Sequence, residues 1–386
     1  MMQKKFIGSA LAAALVALGA TTEPTRAQGQ SGPWIVAAIA PTTGAAASVG
    51  VRQLAVLRWW VEELNKAGGI KGKTIEFTVC NEENNPEKAV ACARDVLAKK
   101  PVGLVLSTLT ASTRAVLPLL KDGPITTLPG PNVIPPPDSY AFQTSVTPDD
   151  LHSGIGQALQ AGGFKKFGFI AATDASGEVN VESANRLFPK MGIQLVVQRI
   201  DLRATDASAQ LARMAGEDVP LIYSTYSGRG ASTVVKSYYN LGLDKPFMVN
   251  FANTSEAFIA EIKDVMPKRL LGITFRGSVP PLVEDAEDRK RAAAFKEAYE
   301  KQFKEHIDEF AVLGKFQADL IEAVMRNVAD PHDVKAAKRY LEINPVRSVQ
   351  TLRFSAQSHT ALGPKDVVVV EYKPGKGWQP ADSLKK

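Results

Sequence analysis

From Trp34 onward the chain alternates short apolar runs with stretches of helical periodicity, and this alternation constrains the fold most. The run 34–40 is continuously apolar, which is typical of a buried strand. A helical face follows, with apolar residues at intervals of three and four: Leu54, Leu57, Val61 and Leu64. Repeated strand–helix units of this kind predict parallel sheets covered by helices on both faces.

The strand–helix pattern occurs in two series, the second beginning near 147. Strands of the first series are predicted at 34–40, 75–79, 102–106 and 125–128, and those of the second at 167–171, 193–197, 221–226, 247–251 and 271–275. Helices follow at about 286–305, 312–328 and 332–342, with short strands near 349–354 and 367–372. We therefore predict an α/β fold of two doubly wound parallel-sheet lobes whose shared cleft binds a ligand.

The order of the segments predicts that the chain returns to the first lobe before it ends. We expect an N-terminal lobe from 28–146 plus 277–350 and a C-terminal lobe from 147–276 plus 351–386. Three connections would then form the hinge between the lobes.

Residues 1–27 have the pattern of a secretory signal peptide. Lys4 and Lys5 precede an apolar run that ends at Ala20, and the small residues Thr25 and Ala27 frame a cleavage site. A membrane anchor is the alternative, although the run is short for a span of about 20 residues. The pattern favours export of a mature chain that begins after Ala27.

The composition excludes several classes of protein. Hydrophobic residues make up 45% and charged residues 22% of the 386 residues, which is ordinary for a globular chain. The 46 basic and 40 acidic residues leave a net charge of +6 that is spread along the chain, so nothing indicates nucleic-acid binding. Two cysteines and four histidines leave little material for a disulfide scaffold or a metal site. A small molecule is the expected partner.

The two cysteines are placed to form a disulfide. Cys80 ends a strand-like run and Cys92 lies in the helix that follows, and export would expose both to an oxidising compartment. The alternative is a pair of free buried thiols. We expect the bridge.

No catalytic motif is present in the sequence. The nucleophile elbow Gly-x-Ser-x-Gly, the zinc motif His-Glu-x-x-His and the Walker phosphate loop are all missing. Gly228-Arg229-Gly230 follows a strand, but the dinucleotide motif fails at Thr233. Exposed helix or loop positions are expected for the four histidines, His152, His306, His332 and His359. We predict neither catalysis, nor a cofactor, nor a bound metal.

Loops rich in hydroxyl and small residues follow the predicted strands. They lie at 41–44 and 107–113 in the first lobe, and at 173–177, 226–229 and 250–253 in the second. Hydroxyls and free amides at a helix N-terminus can hold an anion, because the helix dipole favours negative charge there. Helix capping by Ser112 alone is the alternative at 107–113. Tyr226 would form a cleft wall or else belong to the core.

Several motifs in order resemble the periplasmic branched-chain amino-acid (Leu/Ile/Val) binding family of ABC importers, the type I solute-binding proteins. The stretch Asn65-Lys-Ala-Gly-Gly-Ile-Lys-Gly72 is the most specific of them. The others are Thr43-Gly44 with Gly50, Pro86 with Ala89 and Ala91, Ser112-Thr113, Pro129-Gly130, and Asn240-Leu-Gly-Leu243. The resemblance covers essentially the whole chain after the signal peptide.

The resemblance implies a periplasmic protein of two lobes that close on a small ligand without catalysis or a cofactor. It implies delivery of the ligand, a small carboxylate, to an inner-membrane ABC permease, and we expect a monomer. A receptor module of the same fold that signals to a protein partner is the alternative function.

The resemblance also assigns residues to the site. Thr110, Ala111, Ser112 and Thr113 would hold the ligand carboxylate, with Pro131 and Asn132 on the same wall. Ser176, Tyr226 and Ser227 would come from the other lobe, and Asp149 would approach a ligand amine. The remaining expected ligand-binding residues are Thr43, Val49 and Asn253.

Departures from the family pattern concern the ligand. The family usually places an acid after the strand that here ends at Phe251, but this chain has Ala252 and Asn253, and Glu256 lies too far into the next helix. An unpaired buried ammonium would be costly. Ser176 and Val49 stand where bulkier residues are usual, which widens the pocket. These changes favour an aromatic or branched aliphatic carboxylate without an α-amine, with an amino acid left open.

Overall fold

The computed structural model describes residue 1, residues 32–44, 46–201 and 203–381, and residue 384, apart from the side chains of Val49 and Arg229. The predicted signal peptide lies outside the described residues except for Met1. No helix of the described part is long and apolar enough to cross a membrane.

The elements alternate along the chain as the sequence predicts. The strands are β1 (Trp34–Ala40), β2 (Ile75–Asn81), β3 (Gly103–Leu106), β4 (Ile125–Leu128), β5 (Ala141–Gln143), β6 (Lys166–Ala172), β7 (Gln194–Ile200), β8 (Ile222–Ser224), β9 (Phe247–Val249), β10 (Leu270–Phe275), β11 (Val367–Lys373) and β12 (Gly377–Pro380). The helices are α1 (Ala47–Lys66), α2 (Pro86–Ala98), α3 (Thr110–Val116), α4 (Pro148–Ala161), α5 (Ala175–Leu187), α6 (Ser208–Gly216), α7 (Arg229–Asn240), α8 (Glu256–Ile262), α9 (Ala286–Phe303), α10 (Glu309–Asn327) and α11 (Val334–Ile343).

Two sheets share one strand order. The first is parallel throughout, in the order β2-β1-β3-β4-β5, with Ala38 opposite Val79 on one side and Val105 on the other. The second has the order β12-β11-β10-β9-β8-β6-β7, parallel from β7 to β10. β11 and β12 add an antiparallel edge. In each sheet the first strand lies between the second and the third, so the α/β prediction of two doubly wound lobes is confirmed.

Helix α4 begins with a capping box at Thr147, where the second strand–helix series was expected to start. Thr147 accepts a hydrogen bond from the amide of Asp150 at 3.1 Å, and the Asp150 carboxylate accepts one from the amide of Thr147 at 3.2 Å. Pro148 occupies the first turn, where its missing N–H costs nothing. This capping box fixes the point at which the second series starts.

The motif at 65–72 joins α1 to β2. The Asn65 side chain bonds both backbone groups of Ile75, accepting from its amide at 2.7 Å and donating to its carbonyl at 2.9 Å. Gly69 has φ +77°, and a Cβ there would lie 2.0 Å from the carbonyl oxygen of Lys73. Only glycine fits this turn, which explains the motif physically.

The predicted disulfide is confirmed. Cys80 of β2 and Cys92 of α2 are bridged, with their Cα atoms 5.6 Å apart. The bond ties the edge strand of the first sheet to the helix that covers it.

One sequence prediction is wrong in detail: the strand expected at 349–354 is only an isolated bridge between Val346 and Leu352. The sequence also predicts that Pro118 interrupts the helix after β3, and the structure agrees. Helix α3 ends at Val116 and the chain continues as a 3-10 turn over Leu117–Leu120, because proline lacks the N–H that the α-helix needs.

Two of the four histidines are buried, against expectation. His152 has no exposed surface, and its Nδ1 lies 2.9 Å from the hydroxyl of Ser183. His359 is also buried, with Nδ1 2.9 Å from the carbonyl of Ala141. A hydrogen bond to a neighbouring element replaces water at the Nδ1 atom of each ring, whereas His306 and His332 are exposed as predicted.

Helices α9 and α10 return to the first sheet. α10 packs along α1, and Phe295 of α9 stacks on Trp59 of α1 with ring centroids 6.3 Å apart. The chain stays beside this sheet as far as Ala361, because the Ala361 amide donates to Gln143 of β5. The division of the chain into two lobes remains a proposal. Its third boundary, expected near 350, is now proposed to lie after Ala361, where the chain leaves the first sheet.

Candidate ligand-binding cleft

A cavity of about 660 Å³ lies where loops from the two sheets face each other. Its first wall comes from loops that follow β1, β2 and β3, and its second wall from loops that follow β6, β7 and β8. β1–β3 and β6–β8 are the neighbouring pairs at which the strand order reverses. Ligands of doubly wound sheets bind outside the carboxyl ends of strands at such switch points.

The first wall is short and combines polar with small or apolar side chains. Ala46, Asn84 and residues Thr108–Ala111 form it. Thr110 is buried, Ala111 is exposed, and α3 begins at Thr110. The wall therefore offers hydroxyls and backbone with few bulky side chains.

The second wall contains the first turns of α5 and α7. Asp174 caps α5 by accepting a hydrogen bond from the amide of Gly177 at 2.8 Å. A Cβ on Gly177 would lie 1.9 Å from the carbonyl oxygen of Ala172, so the helix approaches the end of β6 only because this residue is glycine. Gly228, at the start of α7, has no side-chain cap and a φ of +60°.

Tyr226 lines the cavity with its ring, but its hydroxyl turns away. The hydroxyl donates to the backbone carbonyl of Ile200, and the side chain is 3% exposed. The ring rests on Gly230, where a Cβ would come within 2.5 Å of it. Burial, with a contribution from Asp174, raises the pKa of Tyr226, so the phenol stays neutral. From the sequence, Tyr226 was expected either in a cleft wall or in the core. In the structure it is part of both.

Two asparagines shape the loop after β8. The Asn250 amide donates to the carbonyl of Tyr226 at 2.9 Å and to the hydroxyl of Ser227 at 3.2 Å. Asn253 donates to the same carbonyl of Tyr226 at 2.6 Å. Both side chains thereby hold the backbone at Tyr226, which belongs to the second wall, without lining the cavity themselves.

Five of the residues predicted from the sequence line the cavity: Thr110, Ala111, Ser176, Tyr226 and Ser227. Among the described side chains, the other predicted ones lie outside this lining: Thr43, Ser112, Thr113, Pro131, Asn132, Asp149 and Asn253. Val49 lies in α1, and its side chain is not described.

Asp149 does not face the cavity. Its carboxylate pairs with the guanidinium of Arg186 at 2.5 Å and accepts a hydrogen bond from Ser183 at 2.7 Å. Burial opposes its ionisation, but the bonds from Arg186 and Ser183 outweigh that effect and hold the pKa of Asp149 below its usual range. Thr43 also has a partner outside the cavity lining, because its hydroxyl accepts a hydrogen bond from the amide group of the Asn81 side chain at 2.7 Å.

A buried carboxyl group supports the first wall. Glu82 has no exposed surface, and its Oε1 accepts a hydrogen bond from Ser107 at 2.7 Å. The hydroxyl of Ser112, like that of Ser107, interacts with this carboxyl group. Burial raises the pKa of Glu82, although these two hydroxyls act to lower it, and this favours the neutral acid beneath the loop that carries Thr108.

Arg203 is the charged residue of the cleft that sequence reasoning missed. Within the described part of the chain, Asp174 is the acid and Arg203 the base that line the cavity, and the Arg203 side chain is 93% exposed. Asp174 lies in the loop 173–177 and Thr108 in the loop 107–113, both of which were expected at the cleft. Arg203 and Thr205 follow β7, so the rule that ligands bind beyond the carboxyl ends of strands could have indicated them as well.

The described residues contain no cluster of three or more His, Cys, Asp or Glu side chains suited to a metal ion. The lining offers hydrogen-bond donors, an apolar ring face and one charge of each sign. Such a site can hold and orient a small molecule.

A protein-family model described as periplasmic binding protein matches residues 33–377. The chain belongs to the periplasmic binding protein family. This family assignment covers both sheets and the cleft. A comparison with curated proteins found no match.

Solved structures of this family share the fold. A periplasmic binding protein type 1 from Bordetella pertussis is 21% identical, with a TM-score of 0.75, covering 90% of this chain and 99% of its own. An ABC-transporter solute-binding protein from Rhodopseudomonas palustris, in complex with benzoate, is 21% identical, with a TM-score of 0.75 and coverage of 92% and 97%.

A third solved structure is the substrate-binding protein of a branched-chain amino acid transporter from Streptococcus pneumoniae, in complex with isoleucine. It is 17% identical, with a TM-score of 0.74 and coverage of 90% and 99%. The likeness to these three solved structures is one of fold.

Proposed function

We propose that this protein is the periplasmic solute-binding component of an ABC importer, which captures a small carboxylate in the cleft and delivers it to an inner-membrane permease. The observation that carries the proposal is the cavity of about 660 Å³ between two doubly wound sheets. Its volume suits a small molecule, and its walls come from both sheets, so closure would enclose the ligand.

The lining supports a carboxylate ligand. Thr108, Thr110 and Ser176, which carry hydroxyl groups, line the cavity together with the first turns of α5 and α7. Hydrogen bonds from such groups to an ionised carboxylate are stronger than bonds between neutral groups. Arg203 at the lining adds a positive charge.

Asp174 supports an amino acid as the second candidate ligand. Asp174 lines the cavity, so an oxygen of its carboxylate could pair with the ammonium group of an amino acid. This would replace the acid that the family usually places after the strand predicted at 247–251. An aromatic or branched aliphatic acid without an amine would instead be repelled by this charge. The charge of Asp174 is therefore expected to favour an amino acid over an acid without an amine.

A ligand panel tests the proposal. We expect benzoate, isovalerate, leucine or phenylalanine to raise the melting temperature of the purified mature protein. A concentration of one hundred times Kd stabilises the folded state by about 2.7 kcal/mol. Replacing Thr108 by valine should weaken binding roughly tenfold, the effect of losing one hydrogen bond to a charged group. Thr78→Val on β2, outside the cavity, is the matched control.

A second substitution separates the ligand classes. Asp174→Asn keeps a good cap for α5 but removes the charge. It should weaken leucine or phenylalanine binding at least tenfold if the ligand is an amino acid, and leave or strengthen benzoate or isovalerate binding otherwise. A folded protein that ignores the whole panel would refute the proposal of a small carboxylate.

A further inference from the structure

Asn132 connects the two sheets at one end of the cleft. It follows β4 of the first sheet, whereas Ser176 and Asn180 lie in the first two turns of α5, beside the second sheet. α3 packs against α5 at the same place. Side chains that bridge this gap determine how far apart the two walls stand.

The Asn132 amide uses its donors and its acceptor in this gap. Its Nδ2 donates to the hydroxyl of Ser176 at 2.7 Å and to that of Thr110 at 3.1 Å. Its Oδ1 accepts from Nδ2 of Asn180 at 3.3 Å. Thr110 and Ser176 are lining residues of opposite walls, so a single side chain holds both.

The segment that carries Asn132 is itself fixed. Gln143, at the end of β5, donates from Nε2 to the carbonyls of Gly130 at 2.9 Å and of Pro131 at 3.1 Å. Gln143 is fully buried. Asn180 is anchored within α5 by a bond of 2.8 Å to the carbonyl of Ser176. Both sides of the bridge are therefore held by hydrogen bonds within their own lobe.

We propose that Asn132 is a positioning residue, an interlobe latch that holds the start of α5 against the 108–110 loop and slows the escape of the ligand. The sequence comparison placed it on the ligand-binding wall, but the structure gives its hydrogen bonds to residues of both walls. The part of the proposal that concerns the ligand rests on the proposed function. The part that concerns lobe spacing does not.

Pulsed electron spin resonance on the full mature chain tests the lobe spacing without added ligand. Spin labels at Asp95→Cys on α2 and Lys190→Cys after α5 report the distance between the lobes, since both positions are exposed and the native cysteines are bridged. Asn132→Leu, similar in size but without polar groups, should shift the distance distribution to longer values. Asn344→Leu, at the end of α11, is the control that leaves it unchanged.

A second readout is the dissociation of benzoate, measured by stopped-flow competition. The latch predicts a dissociation rate about tenfold higher in Asn132→Leu, the factor expected from losing one to two hydrogen bonds. If Asn132→Leu fails to fold, Asn180→Ala removes one bond and should give a smaller shift in the same direction. An unchanged distance distribution in a folded variant overturns the latch. Absence of benzoate binding in the wild type counts against the ligand class alone.

Discussion

Gly177 shows how a single residue fixes the geometry of the cleft. It lies in the first turn of α5, lines the cavity and packs against the end of β6. A Cβ at this position would meet backbone, the carbonyl oxygen of Ala172 at 1.9 Å, and backbone cannot rotate away. Any side chain here must push α5 outward.

Gly177→Ala should therefore lower the free energy of unfolding by about 1–3 kcal/mol, the usual cost of overpacking. Urea denaturation followed by circular dichroism measures it. Gly216→Ala, at the end of α6, is the control, because its Cβ would meet nothing within 4 Å. It should leave stability unchanged or raise it by up to about 1 kcal/mol. Equal losses in the two variants would contradict the steric argument.

The site could be predicted from the sequence at the level of loops but not of individual atoms. Thr110, Ser176 and Ser227 line the cavity because they follow strands, a position visible in the sequence. The direction of a side chain depends on partners that are distant in the chain. Asp149 turns away from the cavity because it pairs with Arg186, and the hydroxyl of Tyr226 turns away because it donates to the carbonyl of Ile200. Asn132 bridges the lobes for the same reason, through residues 44 and 48 positions away.

At the scale of elements, long apolar runs are predictable and short edge strands are not. β1 and β10 are buried along their whole length apart from one half-buried residue, Ile35 of β1, so the sequence of β1 is continuously apolar and that of β10 is interrupted only by Gly272 and Thr274. β5 has three residues, and β12 includes Gly377 and Pro380, so neither has a pattern that distinguishes it from a loop. β5 and β12 are strands because each pairs with a neighbouring strand, and this pairing is not visible in the sequence.

The disulfide between β2 and α2 makes an element-scale prediction. Closing a loop with a sequence separation of 12 should stabilise the fold by about 2–3 kcal/mol, chiefly by restricting the unfolded chain. The double variant Cys80→Ser/Cys92→Ser should lose that amount in urea denaturation. Dithiothreitol should lower the stability of the wild type similarly and leave the double variant unchanged. A reductant effect on the variant would show that the loss has another origin.

At the scale of the molecule, α10 reaches from the first lobe to the second sheet. Its first residue, Glu309, is fully buried, and Oε2 accepts hydrogen bonds from the Thr274 hydroxyl at 2.8 Å and the Phe275 amide at 3.0 Å. Its Oε1 has no partner among the described residues. Burial raises the pKa of Glu309 to about 8. The end of β10, where the chain leaves the second sheet, is thus held by a neutral acid.

The raised pKa of Glu309 predicts a pH dependence of stability. Because the folded state holds the proton more tightly than the unfolded state, this stabilisation is complete below about pH 4.5 and is lost as the pH rises through about 8. The free energy of unfolding of the wild type should therefore fall relative to Glu309→Gln between pH 5.5 and 8, by at most about 1.4 kcal/mol per pH unit.

Denaturation curves across this pH range measure the difference between wild type and variant. Glu62→Gln, at an exposed position of α1, is the control and should follow the wild type. Parallel curves for the wild type and Glu309→Gln would show that Glu309 binds its proton equally in both states.

The late position of β11 has a consequence for synthesis. β10 ends at Phe275, but its antiparallel neighbour begins only at Val367, after α9, α10 and α11. A ribosome therefore finishes the helices of the first lobe before it releases the strand that covers the open edge of β10. Uncovered strand edges pair with other chains, so nascent copies that fold early would aggregate. A chaperone that keeps the polypeptide extended until β12 has emerged would prevent this loss.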